Sequence, residues 1–412
     1  MDERRCDVIV LGGGIGGASV AAVLAAGGLD VEVLERSTAF PDRVRGEMWC
    51  PWGVRIADDL GLVAPLVAAG ARYTTRWAFY DDVIPTEVAE AMAVDVSTIV
   101  PGVPGILNVT HPVACTALLD HAIGAGAHVR RGITTTDVDL GGARPRVRWQ
   151  DEQGDGGTVE AALLVGADGR ASCVRRAAGI EMISAPVRQY MSGLLVEGPH
   201  PLSSHIDSYG TGRDVNWYSF PQGPSSSRVY LAHHDVHRYA GAGGQARFLA
   251  DLGQCASPDV ASLAHGRALA PLATHPSVDT WTERPYAPGV VLVGDAAGFN
   301  DPIVGQGLSL TMADVRDVTR AVLAAGPADA DFTAYGADRG DRHAKQRTAS
   351  QTMAELLCSF GADDHGRILR ALPLLGTDPT VGLLAAVLFA GPEILPPGTG
   401  PLEAARALML AA

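Results

Sequence analysis

Cys6-Asp7-Val8-Ile9-Val10-Leu11, then Gly12-Gly13-Gly14-Ile15-Gly16-Gly17, then an alanine-rich run to about residue 27 and Asp30-Val31-Glu32-Val33-Leu34-Glu35: this opening stretch decides the fold. It reads as strand, glycine turn, helix and strand, a parallel βαβ unit and the smallest piece of a doubly wound sheet. Gly12, Gly14 and Gly17 have the spacing G-x-G-x-x-G. A turn this tight needs residues without Cβ, so that the backbone can approach a pyrophosphate seated on the positive end of the helix. Glu35 stands 18 residues after Gly17 at the end of the second strand, where a carboxylate accepts hydrogen bonds from ribose hydroxyls. The pattern predicts a dinucleotide site, against the bland alternative of a glycine-rich turn with no ligand. It does not choose between a flavin and a nicotinamide dinucleotide.

Composition narrows the remaining classes. A chain of 412 residues with 47% hydrophobic and 19% charged residues excludes a largely disordered protein and has room for two to three domains. The 46 acidic residues outnumber the 32 basic ones, giving a net charge of -14. No Lys/Arg-rich run stands out, so nucleic acid and anionic membrane are not the expected partners. The six cysteines lie far apart, with no CxxC pair and no zinc spacing, which argues against a disulfide framework or metal site. The first apolar run is too short for a secretory signal, and the longest, over 381–390, is about half the length that spans a bilayer. A cytoplasmic protein without stable membrane insertion is the expectation.

Further along, a mixed polar loop over 37–51 carries Arg45-Gly46-Glu47, and helical periodicity returns over 55–71 and 113–126. Short strands are expected within 128–149, and a buried strand, Ala161-Ala162-Leu163-Leu164-Val165, runs into Gly166-Ala167-Asp168-Gly169. Composition then shifts. Residues 187–197, 216–220 and 228–233 read as strands of an antiparallel sheet richer in aromatics, assigned to a second domain. A strand over 289–293 returns to the first domain, followed by Gly294-Asp295-Ala296-Ala297, Pro302, Gly305-Gln306-Gly307 and a helix over about 307–325; the remainder reads as helical. The acid of this second motif sits at a strand end near the pyrophosphate side. Its glycines open a helix whose amide-rich end suits a ring acquiring negative charge, as reduced flavin does, and this selects FAD.

Three separated blocks now stand together: the amino-terminal fingerprint with Glu35, the Gly166-Ala167-Asp168-Gly169-Arg170-x-Ser172-x-Val174-Arg175 block, and the Gly294-Asp295 block with its Gly-Gln-Gly tail. In combination they resemble the class A flavoprotein monooxygenases, the p-hydroxybenzoate hydroxylase-like family, over roughly residues 5–325. The resemblance implies an α/β fold with a doubly wound FAD-binding domain, a glutathione reductase-like Rossmann variant, carrying an inserted β-sheet substrate domain and a helical carboxyl-terminal region. The corresponding divisions are 1–75, 105–180 and 281–330 for FAD, 76–104 and 181–280 for substrate, and 331–412 for the helical end.

By the same resemblance FAD is held by Gly12, Gly14, Ile15, Gly17, Glu35, Arg36, Arg45, Val138, Asp168, Asp295, Pro302, Gly305, Gln306, Gly307 and Leu308. Arg45, Pro302 and Gly305 tune the flavin ring. An ion pair between Asp168 and Arg175 bracing the domain is the structural alternative for those two. Two departures from the family pattern stand out. Gly298 follows Gly-Asp-Ala-Ala where the family usually has His, as in the related flavin halogenases and polyprenyl reductases. His111-Pro112 opens a helix where an Arg that contacts FAD is common. A halogenase needs a lysine near the substrate, whereas Lys345, the one lysine of the chain, falls beyond the Gly-Gln-Gly helix. Trp217-Tyr218-Ser219-Phe220-Pro221 matches the halogenase tryptophan motif only loosely.

The reaction implied is oxygenation, by hydroxylation or epoxidation, of a hydrophobic, aromatic small molecule through a flavin C4a-hydroperoxide, with NAD(P)H as electron donor and O2 as co-substrate. No second nucleotide fold is visible, so NAD(P)H binds transiently near Arg45 and Asp168 or a separate reductase supplies electrons. Tyr190, Trp217, Tyr218 and Phe220 are the candidate substrate walls. Strand alternation puts Trp217 with Ser219 and Tyr218 with Phe220 on opposite faces, so only one pair lines the pocket. His205, His233, His234 and His237 are candidates for a base. A polyprenyl-reductase-like flavin enzyme, a halogenase and a non-catalytic flavin-dependent binding protein remain the alternatives.

Overall fold

The computed structural model describes residues 2–42, 44, 46–212, 214–360 and 364–412. The chain folds as α/β, around two large sheets that meet at a cleft. In the first sheet, strand Asp2–Leu11 lies between Val31–Glu35 and Gly156–Gly166, parallel to both. His128–Arg131 and Val290–Leu292 extend it in parallel on the two sides. Such a sheet is buried on both faces. Val8 and Val10 pack with helix Ile15–Ala26 in one core, while Ile9 and Leu11 face a second core built with Val147, Val159 and Leu292.

Register sets the position of the site. Leu11 is level with Leu34 and Gly166, and Gly166 with Leu292. Gly12, Glu35, Asp168 and Gly294 therefore all emerge at the carboxyl edge of one sheet, where open α/β sheets bind ligands. Helix Ile15–Ala26 is apolar nearly all round because it is covered on its outer side as well: a Cβ on Gly16 would meet Thr311 at 3.0 Å, and one on Gly27 would meet Leu323 at 2.4 Å.

The second sheet runs Arg267–Ala268, Gln189–Glu197, Ser226–His233, Asn216–Pro221, Ile206–Thr211, Arg76–Tyr80, Val94–Asp95, with Ala273–Ser277 also on Gln189–Glu197. It is antiparallel as expected except at one place, where Ile206–Thr211 and Arg76–Tyr80 pair in parallel. These two strands come from excursions far apart in sequence, so no hairpin dictates their direction. One face carries Met191, Tyr209, Tyr218 and Phe220 toward the cleft side. The other buries Leu194, Trp217, Val229 and Leu231 with Phe248 and Leu252 of helix Gly244–Leu252.

Other elements differ in extent from the sequence reading. The helix expected over 55–71 is two, Pro51–Asp59 and Val63–Ala68. Gly61 between them is left-handed (φ +75°), and Leu62 N–H closes back on the Ala57 carbonyl at 2.8 Å, a glycine C-cap. The carboxyl-terminal region is helical, led by Thr333–Leu357. No single helix among the described residues is long and apolar enough to cross a membrane.

Candidate active site

The cofactor side of the cleft is built from strand ends. Gly12 is left-handed (φ +101°), and a Cβ there would lie 2.4 Å from the Ala167 carbonyl oxygen; a Cβ on Gly17 would lie 1.9 Å from that of Gly12. These two glycines are required by the turn itself. Gly14 differs: no atom lies within 4 Å of where its Cβ would stand, and it lines the cleft with Ile15 and Gly16. Glu35 closes the turn, accepting from Gly13 N–H (2.5 Å) and Ser37 N–H (2.6 Å). Arg36 beside it is exposed.

The Asp168 carboxylate accepts from Cys173 N–H at 2.6 Å, holding the start of helix Cys173–Ala177 under the cleft. Arg175 makes no ion pair with it: its guanidinium donates to the carbonyls of Ala296 (2.9 Å) and Arg170 (3.0 Å), tying the second motif block to the third. Arg170 in turn sits 3.3 Å from the Asp295 carboxylate and 4.1 Å from the centre of the Phe299 ring.

The third block is held from beneath. Gly294 N–H donates to buried Asp314 (3.0 Å). Arg339, from helix Thr333–Leu357, binds the same carboxylate (3.1 Å) and the carbonyls of Ala297 and Gly298 (3.1 Å each). The glycine at 298 has a local reason, since a Cβ there would come within 2.5 Å of the Thr280 carbonyl oxygen. Pro302–Val304 forms a short turn closed by left-handed Gly305 (φ +64°), and helix Gly307–Ala325 begins after it. Pro302, Gly305, Gly307 and Leu308 all line the cleft. The first amides of that helix lack intrahelical acceptors and carry its positive end. No atom lies within 4 Å of a Cβ built on Gly307.

These observations fit FAD. Gly14, Gly307 and Asp295 line a trough in which side chains have been withheld where a pyrophosphate and a ring edge need backbone approach, while the Glu35 and Asp168 carboxylates brace its floor through backbone amides. Not all of the residues expected to hold FAD line the trough: Gly12 and Gly17 shape the turn, Glu35 and Asp168 are bound to backbone amides, Arg36 is exposed, and Gln306 and Val138 lie elsewhere. Gln306 is buried behind the cleft: its amide donates to Val304 and Leu388 carbonyls (2.9 and 3.2 Å) and accepts from Trp52 (3.0 Å). Its role is to fix the turn. Val138 pairs with Val147, Val147 with Val159 and Val159 with Arg4, eight residues before Gly12 on the first strand. At about 3.3 Å per residue this is the wrong end of that strand. Arg45 lies outside the described residues.

Opposite the cofactor trough stands an aromatic wall. Trp77 stacks on Tyr209 at 5.2 Å and lies 6.2 Å from Phe220; Phe220 continues to Tyr218 (6.4 Å) and Tyr230 (6.1 Å). Trp77, Tyr218, Phe220, Tyr230 and Met191 line the cleft. Trp217 and Tyr190 do not. Trp217 is fully buried on the back of the sheet against Tyr80, and Tyr190, one residue out of phase with Met191, stacks on His233. The four candidate histidines are likewise absent from the wall. His233 bonds Ser192 at 2.8 Å, and burial pushes its imidazole down to about 4. His111 and His275 line the cleft instead. Lys345 is buried 2.6 Å from Asp341 and does not line the cleft.

Sequence reasoning also missed Trp77, Tyr230, Met191, Asn300 and Glu47. Alternation in Arg76-Trp77-Ala78-Phe79-Tyr80 is the signal that would have found the first. Glu47 is 2% exposed and is pushed up to about 7 by burial, against the opposing pull of Arg228 and of its hydrogen bond from Tyr230.

Comparison with known proteins agrees with this geometry. A family model described as FAD binding domain matches residues 5–349, and the chain belongs to that family. It is 29% identical over 342 residues to 3-amino-4-hydroxybenzoate 2-monooxygenase of Streptomyces cremeus, covering 76% of this chain and 78% of the relative. It is 27% identical over 315 residues to digeranylgeranylglycerophospholipid reductase of Methanothrix thermoacetophila, covering 74% of each. Aklavinone-11 hydroxylase, solved with FAD and aklavinone, shares the fold: TM-score 0.71, 20% identity, covering 87% of this chain and 70% of that one. The protein is an FAD-dependent monooxygenase.

Proposed function

We propose that the chain oxygenates a hydrophobic aromatic small molecule held between the wall of Trp77, Tyr218 and Phe220 and the turn Pro302–Val304, with NAD(P)H as electron donor. The observation that carries the reading is the placement of that wall across from the first amides of helix Gly307–Ala325, within one cleft. Bound FAD supplies hydride acceptance and activation of O2 there. The chain's own residues do the rest. The helix amides stabilise negative charge at the ring edge they face. Met48, Ile303 and Leu308 close the space with apolar surface, so that water is kept from the reacting centre. The ring stack orients a flat substrate and buries it. The sheets support the division into cofactor segments 1–75, 105–180 and 281–330 and substrate segments 76–104 and 181–280, because each of the two large sheets draws its strands from one set.

The test is to purify the flavoprotein and screen aromatic compounds for ligand-stimulated NAD(P)H consumption with an oxygen-atom mass gain in the product. Phe220→Ala should raise KM by roughly tenfold or more, because the substrate then buries less apolar surface against the wall. Trp217→Phe, on the back of the sheet, should leave KM unchanged. Reduction of an isoprenoid substrate at the same rate with and without air would replace this reading by the reductase activity of the archaeal relative.

A further inference from the structure

Where the aromatic wall meets the cofactor trough, the cleft holds a buried carboxyl–phenol pair. Tyr230 donates its hydroxyl hydrogen to the Glu47 carboxylate, and both residues line the cleft. The residues flanking Glu47 touch the cofactor side directly. A Cβ on Gly46 would lie 3.2 Å from Leu308, and one on Gly305 would lie 2.3 Å from the Met48 methyl. Glu47 is thus fixed at the junction of the two walls. Behind it, the fully buried Arg228 guanidinium stands 3.2 Å from the other Glu47 oxygen and is also paired with Asp42.

We propose that Tyr230 and Glu47 are the proton acceptor of this cleft, working on a substrate that carries an acidic O–H or N–H on its ring. The assignment rests on the oxygenase reading and narrows its substrate class. In the step, the substrate O–H bond breaks and its proton bonds to Tyr230 Oη, while the proton of Tyr230 passes to Glu47. The substrate keeps the electron pair and becomes an anion, richer in electrons for oxygen transfer; Glu47 becomes neutral. One proton moves, no electron is exchanged, and the reverse step restores the pair.

Electrostatics supports the assignment. Arg228 serves two carboxylates, so Glu47 can take up a proton while Asp42 still compensates the guanidinium. Burial brings Glu47 to about 7, where a general base works best at neutral pH, and raises Tyr230 well above an ordinary phenol, so that it relays as a neutral hydroxyl. Among the described residues, the charged and titratable groups facing Glu47 are Arg228 and Tyr230 from strand Ser226–His233 and Asp42 from the preceding loop. His111 and His275 line the same cleft from other elements.

The experiment titrates 4-nitrophenol, whose anion absorbs in the visible, bound to the FAD-loaded protein, to Glu47→Gln and to Tyr230→Phe. In the native protein the dye anion should appear at lower pH than in free solution, in a two-step curve shared with Glu47. Both substitutions should abolish that early step. Turnover of any hydroxylated aromatic substrate should fall by about 10²-fold or more in both, and the limb of kcat rising through about pH 7 should vanish in Glu47→Gln. A native dye curve that coincides with free solution overturns the assignment whatever the variants do, and so does a native curve unchanged by Glu47→Gln. Because the dye titration needs no turnover, a protein that shifts the dye yet oxygenates nothing would sink the oxygenase reading and leave the proton acceptor standing.

Discussion

Gly14→Ala separates folding from cofactor capture. Gly14 is the N-cap of helix Ile15–Ala26 with φ -69° and ψ -174°, angles open to any residue, and the space its Cβ would enter is clear. Alanine is a poorer N-cap than glycine by about 1 kcal/mol. It regains about 0.4–1 kcal/mol by restricting the unfolded chain, so the apoprotein should melt near the native temperature. The methyl group would stand where the pyrophosphate must meet the helix amides. Loss of about two charge-assisted hydrogen bonds, at about 1.5 kcal/mol each, comes to about 3 kcal/mol, or roughly 10²-fold in FAD affinity. Flavin fluorescence during titration of apoprotein measures the affinity, and melting without FAD measures the fold. Gly17→Ala is the contrast: its Cβ would fall 1.9 Å from the Gly12 carbonyl oxygen, so the apoprotein itself should be strongly destabilised. An FAD affinity for Gly14→Ala within about threefold of native would refute the placement of the pyrophosphate over this turn.

Two further expectations concern stability. Gly298→Ala should cost about 2–3 kcal/mol, since φ is +126° and the added carbon would meet Thr280 O at 2.5 Å; a melting temperature equal to native would show that the Gly-Asp loop yields freely. Asp207 is fully buried, bonded to Thr74 and Asn108 at 2.7 Å each, and burial lifts it to about 7. Between its ordinary value near 4 and that value the folded protein binds the extra proton, so this group's contribution to stability falls as pH rises through that window. Asp207→Asn should therefore gain on the native protein in melting temperature from pH 5 to pH 8, and a constant difference would count against it.

The carboxyl edge of the first sheet was legible because each of its parts is local: a glycine spacing, an acid at a strand end, a Gly-Asp pair after an apolar run. The aromatic wall was half legible. Alternation correctly separated Trp217 from Tyr218, yet nothing along the chain says which face looks at the cofactor; that depends on Arg76–Tyr80 pairing with Ile206–Thr211, a contact across more than a hundred residues. Gln306 misled because its neighbours Gly305 and Gly307 both line the cleft, while its own side chain turns inward to Trp52 and Gln346. Glu47 was invisible as a chemical group, since its burial comes from Arg228 and Tyr230, far along the sequence.

Arg339 sets how much chain the flavin needs. The three recognisable blocks end near residue 325, and a fragment trimmed there would retain every cleft-lining glycine and acid. It would also strip the cation from under Asp314 and take from the Gly298 carbonyl its guanidinium donor, loosening the Gly-Asp loop that carries Asp295 into the trough. The smallest autonomous flavin-binding piece is therefore longer than its signature, and reaches at least through the helix that ends at Leu357.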